Sequence, residues 1–447
     1  MKILLSAYGC QPNSGGEDSH GFNTLWETAA LGHQVWCFTT PLGKNGSIEK
    51  HLQEHADNPV AQRIRVVNVH VPKFFDYIYR WQFGVYAHYI CWQYRAWRKA
   101  QEIDKQVDFD LVHHITYNSL QMASWMWRLG KPLLLGPLGG GMKAPASLRR
   151  YLPDWFKTET MRNIISKLLI TFDPNVRQSL RHAKLVLTAN RETAELARSL
   201  GAKRVELAMS TGQFPAFYPA EYPVRPQRAN GELRILWLAR LFPRKGLHLV
   251  IEALGKVNPR VKFHLDILGD GPVGPLVPGW IAAAGIEDKV TWHGAVPFSA
   301  VRQAYLEHDL FMLCSLRDTF ASQYLESMAL GLPILTLDHH GATDFIPDDA
   351  GIKVPVSTPE ATAEALARQV EYLYDHPAEL ERMGRASYAY ACEHTWPKLV
   401  AHHLGRLAAL DPAFAELAEP VHTPHVQQVA EPATPATTPE YSSAAVA

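Results

Sequence analysis

Short apolar runs alternate with amphipathic stretches along most of the 447-residue chain. Residues 2–8 form a strand-like run. Phe22, Leu25, Trp26, Ala29 and Ala30 then recur at i, i+3, i+4, i+7 and i+8, the period of a helix with one buried face. Gly32 stands where such a helix would end, and 35–40 is strand-like again. Strand, crossover helix and strand predict a parallel β-α-β unit. The rhythm repeats with strands expected at 64–71, 111–116, 133–138 and 185–189, a last strand near 205–211, and helices at 121–129 and 191–199. Residues 212–231 lose both periods and carry Pro215, Pro219, Pro223 and Pro226, the composition of a linker.

A second series follows. Strands are expected at 233–239, 263–268, 289–293, 310–314 and 334–337, and helices at 246–255, 319–330, 360–375 and 378–390. The pattern predicts two doubly wound α/β domains, 1–211 and 232–390. A C-terminal helix at 391–417 would pack back on the first, and 418–447, rich in Pro, Thr, Ala and Ser, would be a disordered tail.

Composition narrows the options. Lys+Arg and Asp+Glu are both 44, so the charge excess of a nucleic-acid binder is missing. An apolar content of 47% suits folded cores. No apolar run approaches the ~18 residues of a spanning helix, and residues 1–6 lack the form of a secretory signal. Five scattered cysteines with no C-x-x-C pair argue against a disulfide framework or a cysteine zinc site and for a cytoplasmic setting.

Two segments carry the main chemistry. In Asp318-Thr-Phe-Ala-Ser-Gln-Tyr-Leu-Glu326-Ser-Met-Ala-Leu-Gly-Leu-Pro333, a buried strand leads into a loop bearing Asp318. Thr319 is the expected N-cap of a helix that Gly331 ends. Ligands bind beyond the carboxyl ends of strands in open α/β sheets. Eight residues of helix span up to ~12 Å, which suits Asp318 and Glu326 to two ends of an extended ligand. The amides of Ala321 and Ser322 at the helix start would favour a phosphate between them. Taken alone, Asp318 is equally readable as a cap and Glu326 as a solvated helix residue. The second segment is Arg240-Leu-Phe-Pro-Arg-Lys245-Gly246. Its two cations at a sheet's carboxyl edge suit a diphosphate, against the simpler reading of surface basics in a loop.

From Arg240 to about Val354 the chain resembles the C-terminal domain of retaining glycosyltransferases of family 4, the group 1 glycosyltransferases. The resemblance rests on Arg240…Lys245-Gly246, the turn Gly269-Asp270-Gly271-Pro272, Val290-Thr-Trp-His-Gly294, and an E-x7-E-like motif whose first acid is here Asp318 rather than Glu. It implies a GT-B fold, two Rossmann-like domains facing across a cleft. It further implies that Arg240 and Lys245 hold a donor diphosphate and stabilise the departing nucleotide, and that Glu326 binds the ribose. Asp318 and the amides at 321–322 would hold the donor sugar, with no metal or other cofactor. His339-His340 and His402-His403 lack a metal spacing and are expected at the surface.

In the first half, the glycine loop 9–17 contains Gly15 and Gly16, which would let a donor or acceptor approach the backbone closely. Its simpler reading is an ordinary β-α turn. Residues 136–141 form a second glycine-rich candidate loop. His113 and His114 end a strand, so their side chains should point to opposite faces. Similar glycosyltransferases place a histidine near here, and His114 is the expected one to hydrogen-bond a sugar hydroxyl. Aromatic and basic side chains crowd 74–97 and 143–167. Core packing, contact with an inner membrane surface or lipid-linked acceptor, and stacking on glycan all fit them. The expected activity is hexosyl transfer from a nucleoside diphosphate sugar to an acceptor glycan or lipid-linked sugar with retention, as in exopolysaccharide or glycolipid assembly. An epimerase or phosphorylase of the same fold and a non-catalytic nucleotide-sugar or glycan-binding protein are the rivals.

Overall fold

A computed structural model describes residues 1–417 apart from 13, 42–46, 82, 83, 118 and 226–230. The expected tail at 418–447 and part of the expected linker lie outside the described residues. The chain divides into two compact units. The first comprises Met1–Gly141, Met161–Ser210 and the chain from Trp396 on, and the second comprises Met142–Thr160 and Thr211–Thr395.

The first unit is built on strands β1 Lys2–Ala7, β2 Gln34–Thr39, β3 Ile64–Asn68, β4 Leu111–Thr116, β5 Leu133–Leu138, β6 Leu185–Thr188 and β7 Val205–Leu207. They form one parallel sheet in the order β3-β2-β1-β4-β5-β6-β7. Every residue of β4, β5 and β6 is buried, as continuous apolar runs require when helices cover both faces. Phe22, Leu25 and Trp26 of the helix Gly16–Ala30 fill one core. Tyr89 and Trp92 of the helix Gly84–Val107 fill the other.

The second unit holds β8 Leu233–Leu238, β9 Phe263–Leu268, β10 Val290–Gly294, β11 Leu310–Met312, β12 Ile334–Asp338 and β13 Gly351–Pro355. Their order is β10-β9-β8-β11-β12-β13, again all parallel. In each sheet the order reverses beside the first strand, between β1 and β4 and between β8 and β11. Loops beyond the carboxyl ends diverge at such a switch point and leave a crevice for ligands.

Several expectations change. The helix expected at 121–129 is only a 3-10 turn, Met126–Leu129, and Gln121 ahead of it donates its side-chain amide to Gly140 O and Ser166 Oγ, each at 2.7 Å. Thr319 caps nothing. The helix runs Ser322–Ala329 behind Ala321, with no side-chain cap. Lys245 closes a 3-10 turn, and the next helix, Leu247–Gly255, starts after Gly246. Residues 142–160, expected within the first domain, belong to the second unit. Arg150 pairs with Glu252 at 2.5 Å and with Glu360, and Tyr151 donates to Glu252 at 2.8 Å. The helix Trp396–Leu410 lies in the first unit, where Trp396 stacks on His20 with ring centres 5.8 Å apart. His340 and His403 are buried rather than at the surface, and His402 is exposed.

Candidate active site

At the second unit's switch point, the loop after β8 carries Arg240, Arg244 and Lys245, and the loop after β11 carries Asp318. Backbone contacts clip the two loops together. Leu316 N donates to Arg244 O at 2.7 Å, and Ser315 Oγ reaches the same carbonyl at 3.1 Å. Gly246 makes this approach possible. Its φ is +72°, and a Cβ there would sit 1.9 Å from Cys314 O. On the far side, a Cβ on Gly341 would meet Thr319 O at 1.6 Å, so the Asp318 loop is confined from both directions.

The charges meet between these walls. Lys245 Nζ donates to Asp318 Oδ2 at 2.5 Å, and Arg244 stands 3.4 Å from the same oxygen. Lys245 is buried and Asp318 part-buried. Burial alone would raise the Asp318 pKa, but the Lys245 ammonium and the Arg244 guanidinium prevail and hold it at about 2. Asp318 is therefore a paired carboxylate and not a helix cap. Glu326, on the helix Ser322–Ala329, accepts from Tyr305 Oη at 3.0 Å. Burial raises its pKa, opposed by the Tyr305 and Ser322 hydroxyls and the Lys245 charge. Lys245 thus acts electrostatically on both acids.

Beside Asp318 lies a small cleft lined by Ser315, Asp318, Thr319, Phe320, His339 and His340 among others. His339 Nε2 donates to Ser315 O at 2.7 Å, and its ring stacks on His340 with centres 4.1 Å apart.

Of the expected site residues in this unit, Lys245, Asp318 and Glu326 come together, with Ala321 and Ser322 at the helix start. Arg240, expected with Lys245 at the diphosphate, is exposed, its guanidinium 4.8 Å from the Phe242 ring centre, and Arg244, not singled out in the sequence, stands beside Asp318. Three basics within six residues were the available signal for Arg244. Tyr305 had none, since its bond to Glu326 crosses 21 residues of sequence.

In the first unit, Gly15 precedes the helix Gly16–Ala30, and a Cβ on either Gly15 or Gly16 would meet open space. His113 and His114 point to opposite faces as alternation requires, and both are buried. His113 Nε2 donates to Gly136 O at 3.0 Å. His114 uses Nδ1 on Ser6 Oγ at 2.9 Å and Nε2 on Tyr89 Oη at 3.1 Å. Burial lowers both pKa values, to about 4 for His113 and about 3 for His114, so both rings are neutral at pH 7.

Residues 220–390 match the sequence profile described as glycosyl transferases group 1. This segment is similar to the group 1 glycosyl transferases. It contains Lys245, Arg244, Asp318 and Glu326, and the whole second-unit sheet. A curated relative is the colanic acid biosynthesis glycosyltransferase WcaL of Escherichia coli K12, named as putative, 28% identical over 210 residues, 45% of this chain and 51% of WcaL. The chain spans about half the length of the curated relatives it matches. Among solved structures, sucrose-phosphate synthase from Thermosynechococcus elongatus aligns over 91% of this chain and 98% of its own, at TM-score 0.60 and 17% identity. Anabaena HepE in complex with UDP-glucose aligns over 92% and 100%, at TM-score 0.55 and 14% identity. The fold class is accordingly GT-B, and the segment similar to group 1 glycosyl transferases contains its second switch point.

Proposed function

We propose that the protein transfers a hexosyl group from a nucleoside diphosphate sugar to an acceptor hydroxyl with retention of configuration. The observation that carries this reading is the Lys245–Asp318 pair at a sheet switch point, with Arg244 beside it and Glu326 within the field of the same ammonium. In this reading Lys245 and Arg240 meet the diphosphate, and Glu326 accepts from the ribose hydroxyls. Asp318 and the amides of Ala321 and Ser322 hold the sugar. The bond from the anomeric carbon to the diphosphate oxygen breaks, and its electron pair leaves on the nucleoside diphosphate. The side-chain cations compensate that charge without a metal. The acceptor oxygen bonds to the same face of the anomeric carbon, and its proton passes to the departing phosphate. In the first unit, Gly15 and Gly16 offer open backbone, and His113 and His114 are positioning groups held neutral. The donor class is that of the UDP-glucose bound by HepE.

The acceptor in this reading is a glycan or lipid-linked sugar reached by peripheral contact with an anionic inner membrane surface. The helix Met161–Phe172 supports this, because none of its residues is buried and Ile164, Leu168 and Phe172 face outward at i, i+4 and i+8. Segments 73–100 and 161–172 carry seven basic residues and one acid in a chain that is neutral as a whole.

A thermal-shift screen of nucleoside diphosphate sugars tests the donor site. A ligand at ~100 times its dissociation constant stabilises by ~2.7 kcal/mol. Lys245→Ala should abolish the shift and lower transfer at least about a hundredfold. Conversion of donor without acceptor would favour the epimerase, and dependence on inorganic phosphate the phosphorylase. Binding with no turnover across an acceptor panel would favour the non-catalytic protein. Flotation with anionic vesicles, lost in Leu168→Glu, tests the membrane contact.

A further inference from the structure

Two helices of the second unit end on one guanidinium. Arg225 Nε donates to His308 O at 2.6 Å and Nη2 to Tyr305 O at 3.3 Å, at the end of the helix Phe298–Glu307. Nη1 donates to Gly331 O at 2.7 Å and Nη2 also to Leu330 O at 3.0 Å, just past the end of the helix Ser322–Ala329. Tyr222 is a further hydrogen-bond partner, and Asp309, the acid in the field of Arg225, pairs with Arg234 at 3.2 Å. The last carbonyls of a helix carry its negative dipole end, so two such ends brought together repel unless a cation stands between them. The same two helices carry Tyr305 and Glu326, whose hydroxyl-to-carboxylate bond at 3.0 Å links them a second time. Arg225 itself lies in the stretch that the sequence pattern reads as a linker, and in the structure it belongs to the second unit.

We propose that Arg225 is a positioning residue for Glu326: by holding both helix ends it keeps the Tyr305 hydroxyl on the Glu326 carboxylate and so sets the preference for a ribose-bearing nucleotide. This rests on the donor site proposed above, in which Glu326 accepts from the ribose hydroxyls. Without the guanidinium, four carbonyls lose a charged donor and two negative helix ends face each other. The helices then draw apart, and the Tyr305–Glu326 bond between them lengthens. Ser322, the other hydroxyl acting on Glu326, sits on the same helix as that acid and moves with it, so it does not replace the lost cross-link. A carboxylate held at a fixed angle rewards a ligand hydroxyl and penalises its absence, whereas one free to turn distinguishes the two poorly. Lys245 lies on a different loop, so the contacts assigned to the diphosphate stay as they are. A lysine at 225 would keep the charge but has no planar fork to reach both helix ends.

The test uses the full chain and calorimetric binding of UDP, ADP and GDP, each against its 2′,3′-dideoxy counterpart, taking the base that binds most tightly. The parent should prefer the ribose form by at least about thirtyfold. Arg225→Met should cut that preference to within about threefold, with the dideoxy form bound as in the parent. Tyr305→Phe should do the same, and the double variant should add little to either, because both act through one bond. Arg225→Lys should lower the preference at least about fivefold. A merely structural Arg225 would give a lower melting temperature with the ribose preference of the folded molecules unchanged, and that result overturns the proposal. Should Arg225→Met fail to fold, Arg225→Lys decides, and an unchanged preference there overturns it. If neither variant folds, Arg225 is structural and the proposal is overturned as well. A parent without the preference, or one in which Glu326→Ala leaves it intact, means that the donor-site reading has failed instead.

Discussion

The two switch points share a topology and differ in chemistry. Between β8 and β11 the second unit gathers a lysine, an arginine and two carboxylates, and their mutual fields keep Asp318 ionised. Between β1 and β4 the first unit offers bare glycine backbone and two buried imidazoles held neutral. A parallel sheet that reverses its order supplies the crevice in both cases. What the crevice can bind is decided by the few residues past the strand ends, so topology alone assigns neither unit a ligand.

The contrast extends through both units and predicts how each responds to acid. Burial lowers the pKa of His20, His33, His51, His88, His113, His114 and His403, all in the first unit. In the second unit, among the described residues, only His248 is lowered. An imidazole whose folded pKa lies below its unfolded value near 6.5 contributes stability above that pH, and the contribution is lost as pH falls toward the folded value. Asp266 and Asp318, held at about 2, contribute above pH ~4 and lose it only below. The first unit should therefore lose more stability than the second between pH 6.5 and 4, with Glu27, raised by burial to about 7, offsetting part of the loss. Hydrogen exchange, corrected for the intrinsic rate at each pH, measures this unit by unit. Equal loss in both would erase the contrast.

The next largest effect is expected from a methyl group at the two glycine loops. Gly246→Ala should destabilise the second unit by about 3 kcal/mol or more, since the strain of positive φ is joined by overlap with Cys314 O. Gly16 also has positive φ, +60°, but its added Cβ meets open space. Gly16→Ala should cost about 1 kcal/mol, read from urea midpoints of the same preparation. Between these falls Asp318→Asn. Removing a carboxylate held at about 2 should lower the second unit's stability at pH 7 by on the order of 2 kcal/mol, a deficit that closes as the pH approaches 2. Persistence of the deficit at pH 2 would show that the Lys245 pairing is not its source.

Much of the architecture is legible along the chain, and the failures have causes. Buried parallel strands are short continuous apolar runs, so β1, β4, β5, β8 and β12 stand out. β13 does not, because it is an edge strand bounded by Gly351 and Pro355 with only Gly351 and Val354 buried. The helix Gly84–Val107 hides its period among aromatics. Tyr89, Trp92, Ala96 and Ala100 are core, while Tyr94, Arg95 and Arg98 are exposed, and composition alone does not separate the two sets. At the candidate site, Lys245, Asp318 and Glu326 are legible as charges where strands end and helices begin. The pairing of Arg244 with Asp318, and the reach of Glu159 to Arg317, depend on rotamers and on contacts across long stretches of chain. No local pattern encodes them.

The chain passes between its units four times, at 141/142, 160/161, 210/211 and 395/396. During synthesis, then, the seven strands described for the first unit are in hand long before its helix Trp396–Leu410 leaves the ribosome. Until then, His20 lacks the indole that stacks on it. The N-terminal portion must wait, incomplete and partly uncovered, while the later portion is translated. A protein stitched together in this way should mature as a whole.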